Sequence, residues 1–286
     1  MKIAGTGKAK ISERITTAVA SDTPLRTLAS NFSKVARNAI NEANTLEVES
    51  VRISLPRWPV KLDGFRIVHL SDIHHSPLTN IEHIENAVSV ANELEPDMFV
   101  LTGDYVSHDS EYILPMAEEL GKLEAEHGTH ACLGNHDHWT DAELVTHMLR
   151  GEGVNVLINE GFRFSNGEGD MWICGVDDHM AGKTDVPAAL KGSYADETKL
   201  MLAHNPAILR QAVRYGVDLM LSGHTHGGQV KIREREKRLM ANRRLSSGLH
   251  RRKDTQIYIT RGIGTVVLPV RYQCPPEISL IELRKS

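Results

Sequence analysis

Five short segments of this chain each set oxygen or imidazole donors beside a turn: Ser71-Asp72-Ile73-His74, Gly103-Asp104, Gly134-Asn135-His136-Asp137, Ala203-His204-Asn205 and Gly223-His224-Thr225-His226. Carboxylate, amide oxygen and imidazole together suit intermediate divalent ions such as Mn, Fe, Co, Ni and Zn. The three cysteines, Cys132, Cys174 and Cys274, are far apart and show no CxxC spacing. Neither a thiolate zinc knuckle nor a disulfide framework is therefore expected. Two ions need about seven or eight ligand bonds, which this set supplies if one carboxylate bridges. In Asp72-x-His74 and His224-x-His226, alternate residues of an extended segment project to the same side, so each pair can serve one cluster. The glycines before Asp104, Asn135 and His224 let the backbone turn sharply and approach closely.

Each segment follows a short apolar run, and such runs alternate with amphipathic stretches from residue 51 onward, which is the pattern of a layered α/β fold. Strands are expected at 51–55, 65–70, 98–102, 129–133, 154–159, 162–165, 171–176, 199–203, 219–222, 229–232, 256–260 and 278–283. A helix should start at Asn80 and stop before Pro96, with Ile81, Ile84, Val88, Ala91 and Leu94 on its inner face. Another should be capped by Thr140 with Glu143, and a third should run from Pro206 to Tyr215. The chemistry-bearing residues then sit where strands end, the edge at which open α/β sheets bind ligands. Composition agrees: 286 residues, 41% hydrophobic, 24% charged and a net charge of −4 describe an ordinary globular chain. Fifteen histidines are the one anomaly, and they favour a metal site.

The ordered series DxH, GD, GNHD, H and GHTH resembles the calcineurin-like metallophosphoesterases, over about residues 51 to 284. The Gly175-Val176-Asp177-Asp178 step, Arg261-Gly262-Ile263-Gly264 and Pro275-Pro276-Glu277-Ile278 further resemble the bacterial phosphodiesterase-like branch. The resemblance implies a four-layer αββα sandwich, two mixed β-sheets flanked by helices, around two divalent ions (Mn, Fe or Zn). It implies Asp72, His74, Asp104 and His226 at the first metal and Asp104, Asn135, His204 and His224 at the second, with Asp104 as the bridge. His136 matches the catalytic histidine of the family. The implied reaction is hydrolysis of a phosphodiester or pyrophosphate bond by a hydroxide shared between the ions, with protonated His136 stabilising charge or protonating the leaving oxygen. A phosphomonoesterase, a nuclease or a non-catalytic metal-binding scaffold are the alternatives. Protein phosphatases of the superfamily carry GDxxDRG and GNHE. This chain reads Gly103-Asp104-Tyr105-Val106-Ser107-His108 and Asp137, with Ser107 where the Asp that partners the catalytic histidine stands in those enzymes. Protein phosphatase activity is thus not expected.

Other residues divide between chemistry and packing. His75, His108 and Asp178 are candidates for substrate contact. Asp137 either orients His136 or caps backbone N–H groups. His69, between Val68 and Leu70, reads as a hydrogen-bonded core residue, and His83, His127, His130, His138 and His147 as surface or packing residues. Residues 231 to 253 hold ten Lys or Arg against Glu234 and Glu236, either a solvated loop or a collar for anionic substrates or membrane surfaces. Residues 1–50 read as an amphipathic extension, with Leu25, Leu28, Phe32, Val35, Ala36, Ala39 and Ile40 at helical spacing, ahead of a catalytic domain at 51–286. No apolar run is long enough to span a bilayer, and no secretory signal is visible. The expected address is cytoplasmic, with the N-terminal helix either docked on the domain or, together with the 231–253 stretch, holding the protein peripherally on the inner face of the membrane. The expected partner is a phosphorylated small-molecule or lipid-linked substrate such as UDP-diacylglucosamine, and nucleic acid is not expected.

Overall fold

A computed structural model describes residues 36–230 and 245–286. The amphipathic stretch up to Val35 and most of the basic run, 231–244, lie outside the described residues. The chain divides into Met1–Ala39 and Ile40–Ser286, and the second unit is described here.

Twelve strands of this unit form two six-stranded sheets. The first contains β1 (Glu47–Leu55), β2 (Phe65–Leu70), β3 (Met98–Thr102), β4 (Thr129–Cys132), β5 (Asn155–Val156) and β12 (Glu277–Lys285), in the order β1-β12-β2-β3-β4-β5. The second contains β6 (Glu160–Ser165), β7 (Asp170–Gly175), β8 (Lys199–Leu202), β9 (Leu219–Ser222), β10 (Gly248–Arg252) and β11 (Thr255–Ile259), in the order β10-β11-β9-β8-β7-β6. Both sheets are mixed. β2, β3, β4 and β5 run parallel, as do β7, β8, β9 and β11, whereas β12 pairs antiparallel with β2.

The layers follow from which side chains each strand sends to each face. In β3, Phe99 and Leu101 join a core under α1 (Ile81–Glu93), α2 (Ile113–Leu120) and α4 (Ala142–Gly151), while Met98 and Val100 enter the core between the sheets. In β8 and β9, Leu200, Leu202, Leu219 and Leu221 meet that middle core from the other side. Met201 and Met220 face α5 (Val186–Ala189) and α6 (Leu209–Arg214). Burial on both faces explains why these strands read as continuous apolar runs rather than alternating ones. The arrangement is the four-layer αββα sandwich, with mixed sheets flanked by helices.

Most expected elements are present, with instructive departures. The opening strand starts at Glu47, pairing with Glu277 of β12, so the compact unit begins before residue 51. Thr140 does not cap α4. It ends a short helix, α3 (Asn135–Thr140), and Asp141 caps α4 by accepting from the Leu144 N–H at 3.0 Å. Gln229 and Val230 are not a strand: Gln229 sits at φ +51° after a 3₁₀ turn at His226–Gly228, and Val230 makes one isolated bridge to Tyr272. Conversely, β10 lies where a basic loop was expected. Asn80 caps α1 as anticipated, its side chain accepting from His83 N–H. All three cysteines are buried and free. Among the described residues no helix is long and apolar enough to cross a membrane.

Candidate metal centre

Asp72 follows β2, Asp104 follows β3 and Asn135 follows β4, while His204 follows β8 and His224 follows β9. The parallel strands of both sheets thus bring the five segments to one edge. Asp72, His74, Asp104, His224 and His226 all have positive φ, between +50° and +69°. Non-glycine residues adopt that region at a cost of about 1–3 kcal/mol each, and such costs cluster at functional sites. The approach between loops is close enough to require glycine at two positions. A Cβ on Gly134 would lie 2.2 Å from Asp104 Oδ1, and one on Gly223 would lie 2.2 Å from Asp72 Oδ2.

Three overlapping groups of donors result: Asp72, His74 and His226; His74, Asp104 and His136; and Asp104, His204 and His224. In the first, His226 Nε2 lies 3.3 Å from Asp72 Oδ1, and His74 Nε2 lies 3.0 Å from His226 Nε2. Two imidazole nitrogens at that distance need one shared proton or one shared cation. In the third, Asp104 Oδ2 is 3.0 Å from His204 Nε2, and His204 Nε2 is 3.2 Å from His224 Nδ1. Asp104 Oδ2 also lies 3.6 Å from His74 Nε2, so this carboxylate faces both groups. Donors each about 2.1 Å from one ion stand roughly 3.0–3.5 Å apart, as most of these do. Asn135 Oδ1 is buried without a hydrogen-bond partner, an acceptor that a cation would satisfy. The residues present fit two divalent ions.

The electrostatics agree. Burial pushes the Asp72 carboxyl up to about 6, with the Asp104 charge adding to the effect against His204. Burial would also raise Asp104, but His204, His74 and His136 hold it below the usual carboxylate range. Burial opposes protonation of His204, yet the Asp104 and Asp72 carboxylates raise it to about 10. Burial lowers His74 to about 3 and His224 to about 4. Two buried carboxylates therefore demand positive charge, and four neutral imidazole or amide donors stand around them.

The supporting contacts orient these donors. His74 Nδ1–H donates to Ser107 Oγ at 2.7 Å, and His204 Nδ1–H donates to the Thr102 carbonyl at 2.7 Å, so the Nε2 atom of each ring faces the site. Ser107 thus partners His74, not His136. Asp137 accepts from the backbone N–H groups of Gly134 (2.8 Å), Asp104 (2.9 Å) and Tyr105 (2.8 Å). It ties two site loops together and does not orient His136. The His136 backbone N–H donates to Asp104 Oδ1 at 2.8 Å, and its half-buried ring lies 4.7 Å from that of His74. Sequence reasoning missed two neighbours. Trp139 is 60% exposed and lies 4.7 Å from the His136 ring, one helical turn on. Arg271 is fully buried, its guanidinium donating to the carbonyls of Gly262, Gly264 and Cys274, with Nη2 3.5 Å from His226 Nδ1. The exposed-tryptophan type and the helix periodicity could have flagged Trp139; nothing local in sequence marks Arg271 as buried.

The substrate-contact candidates separate. His108 is exposed, at φ +73°, with its ring 6.0 Å from His136. His75 is buried and donates to the Tyr112 carbonyl at 2.9 Å. Asp178 is buried, with one oxygen accepting from Ala181 N–H and the other unpartnered. His69 is a core residue bonded to Thr102 Oγ1 at 2.7 Å, as read from the sequence. His138 is bound to Asp177 at 2.5 Å.

A two-sheet sandwich with an Asp/His/Asn cluster at its strand ends defines a class of metal-dependent phosphoric ester hydrolases. Residues 65–228 match the calcineurin-like phosphoesterase family, and the chain belongs to that family. It is 30% identical over 254 residues to the uncharacterized metallophosphoesterase YkuE of Bacillus subtilis, covering 86% of this chain and 88% of that protein. It is 33% identical over 241 residues to the phosphodiesterase YaeI of Escherichia coli, covering 82% and 88%. It is also 33% identical over 261 residues to a transmembrane protein with metallophosphoesterase domain from Danio rerio, covering 86% of this chain but 59% of the fish protein.

Proposed function

We propose that this protein hydrolyses phosphodiester or pyrophosphate bonds, with Asp72, His74, Asp104 and His226 holding one divalent ion and Asp104, Asn135, His204 and His224 the other. The observation that carries the reading is the pair of buried donor groups that share the Asp104 carboxylate. Two such ions, when bound, supply a water of lowered pKa and a clamp on phosphate oxygens.

The chain's own part follows from its contacts. Asp137 and the His136 N–H fix the position of Asp104, so the shared carboxylate keeps one orientation. The Ser107 hydroxyl and the Thr102 carbonyl hold the tautomers of His74 and His204. His136 is a half-buried imidazole of the cluster, flanked by the exposed His108 and Trp139. It is the group placed to give a proton to the leaving oxygen. His108 and Asp178 are the substrate contacts this reading retains, and His75 acts by bracing its loop on Tyr112. The substrate is a phosphorylated small molecule or a lipid-linked one, of which UDP-diacylglucosamine is an example, met by a protein held peripherally at a membrane.

Metal content, measured with hydrolysis of bis-p-nitrophenyl phosphate and p-nitrophenyl phosphate on one Mn-loaded preparation, tests the reading. Two ions per chain and a diester preference are expected. His136→Ala should keep both ions and lose about 10²- to 10⁴-fold in kcat/KM. A monoester preference would overturn the diester assignment, and wild-type rates in His136→Ala would overturn its role.

A further inference from the structure

We infer that Trp139 is the leaving-group platform of this site, its indole packing against an aromatic ring carried by the group that departs from phosphorus. The inference rests on the role of His136 given above. Trp139 is 60% exposed, whereas the other two tryptophans, Trp58 and Trp172, are 1% and 5% exposed. Tryptophan is strongly buried on average, so an indole left in solvent beside a reacting group asks for a partner. Its place is nonetheless fixed, because α3 is pinned by the two residues before it. Asp137 accepts from the backbone N–H groups of Gly134, Asp104 and Tyr105, and His138 Nε2 is bound to Asp177 Oδ1 at 2.5 Å. The helix thus holds the indole out by contacts the indole does not make.

The reaction says what comes to lie there. A group that protonates the leaving oxygen stands about 2.6–3.2 Å from it. The His74 ring fills one side of His136, at 4.7 Å and 88° between planes, and the indole stands on another, at 4.7 Å and 58°. His74 belongs to the metal cluster. The leaving group, which points away from the ions, therefore runs out past the indole or past His108, whose ring lies farther from His136, at 6.0 Å. Chemistry selects between possible occupants. An indole face carries the negative side of its quadrupole, so it disfavours a phosphate or carboxylate and favours a planar ring, offset-stacked or edge-on. An aromatic ring gains that geometry as well as the burial of apolar area, and an alkyl group gains the burial alone. The substrate class narrows to a phosphodiester or pyrophosphate whose leaving side carries an aryl group or a nucleobase.

The test is calorimetric titration of the Mn-loaded full chain with phenylphosphonate beside methylphosphonate, and with uridine monophosphate beside ribose phosphate, together with acrylamide quenching of tryptophan fluorescence. Within each pair the phosphoryl group is kept and only the aromatic ring differs. At least one aromatic ligand should bind about tenfold tighter than its counterpart in wild type. Trp139→Ala should erase that advantage with both ions still bound, and Trp139→Phe should keep much of it. In wild type the same ligand should shield Trp139 from acrylamide, since the other two tryptophans are buried, and its counterpart should not. The pair that responds tells an aryl leaving group from a nucleoside one. Equal binding within both pairs, an advantage that survives Trp139→Ala, or quenching that no aromatic ligand reduces, overturns the inference. The two readings fail separately: hydrolysis of bis-p-nitrophenyl phosphate without an indole-dependent preference removes the platform alone, whereas a chain that binds no metal and hydrolyses no diester removes the phosphoesterase and the platform with it.

Discussion

Replacing Ser107 by Ala should weaken the metal centre without unfolding the protein. His74 is completely buried, and its Nδ1–H has one partner, the Ser107 hydroxyl at 2.7 Å. While that bond stands, Nε2 carries the lone pair toward Asp72, His226 and Asp104. Without it, a buried N–H is left unsatisfied, at about 1–3 kcal/mol. The ring relieves this by moving the proton to Nε2, where His226 Nε2, 3.0 Å away, can accept it. That proton then occupies the position of the ion, so the same cost appears as lost affinity. Outer-shell partners of this kind typically contribute 10- to 100-fold, about 1.4–2.7 kcal/mol, which agrees with the desolvation figure. The assay is Mn titration by calorimetry at fixed pH, with kcat/KM on the diester. One of the two ions should weaken by that factor, the one held by Asp72, His74 and His226, while the ion between Asp104 and His224 stays near wild type. Ser107→Thr, which keeps the hydroxyl, should recover much of the loss. Equal weakening of both ions, or none, refutes the reasoning.

Gly134→Ala should be more severe, because its Cβ would stand 2.2 Å from Asp104 Oδ1 and 2.5 Å from Asp104 N. About 1–3 kcal/mol of stability and most metal binding should be lost, whereas Gly151→Ala, with nothing within 4 Å, should be neutral or stabilising in urea melts. Arg271→Ala removes the donor for four carbonyls, those of Arg261, Gly262, Gly264 and Cys274, and should cost more than about 3 kcal/mol by denaturant unfolding. Arg271→Lys should recover little, since one ammonium cannot reproduce the fork. For pH, His130 is the clean case. Burial lowers it from 6.5 to about 4. Its Nδ1 accepts from Asn155 Nδ2 at 3.1 Å and its Nε2–H donates to His127 O. The unfolded chain binds this proton more tightly than the fold does, so the stability is present above about pH 6.5. It is lost as pH falls toward 4, to a total of about 3 kcal/mol. Asn155→Asp, whose carboxylate would accept from a protonated Nδ1, should lose measurably less than wild type between pH 7 and 4.5 in urea titrations. Parallel losses in the two proteins would refute it.

The parts of the fold that could be read from sequence are those whose signal is local. β3, β8 and β9 are buried on both faces and so appear as unbroken apolar runs. α1 announces itself by a capping asparagine, a 3.6-residue apolar stripe and a proline beyond its end. β10 could not be seen, because its residues Gly248–Arg252 include two arginines and a histidine and it is paired along one edge only, to β11. A strand at a sheet's edge has little apolar pattern to show. α3 was hidden for another reason: its six residues, Asn135–Thr140, are chosen for the site and carry no apolar stripe. The capping preference at Thr140 was real but was overridden by Asp141, one residue on, which reaches the Leu144 N–H.

The site shows the same division more sharply. Donor types at strand ends are local facts, and the fold brings all seven expected metal-binding side chains and His136 to one edge. Which residue orients which donor is not local. Ser107 reaches His74 across 33 residues, and His204 leans on Thr102 across 102, on the other sheet. Two loops that leave neighbouring parallel strands must lie side by side, so Ser107, three residues beyond Asp104, is drawn toward the loop after β2. There the free hydrogen-bonding group is His74, since His136 enters from β4, on the far side of Asp104. The tautomer of each donor is therefore set by strand order. A substitution that leaves every donor in place can still disable the centre by changing what stands behind it, and the Ser107 experiment measures that dependence.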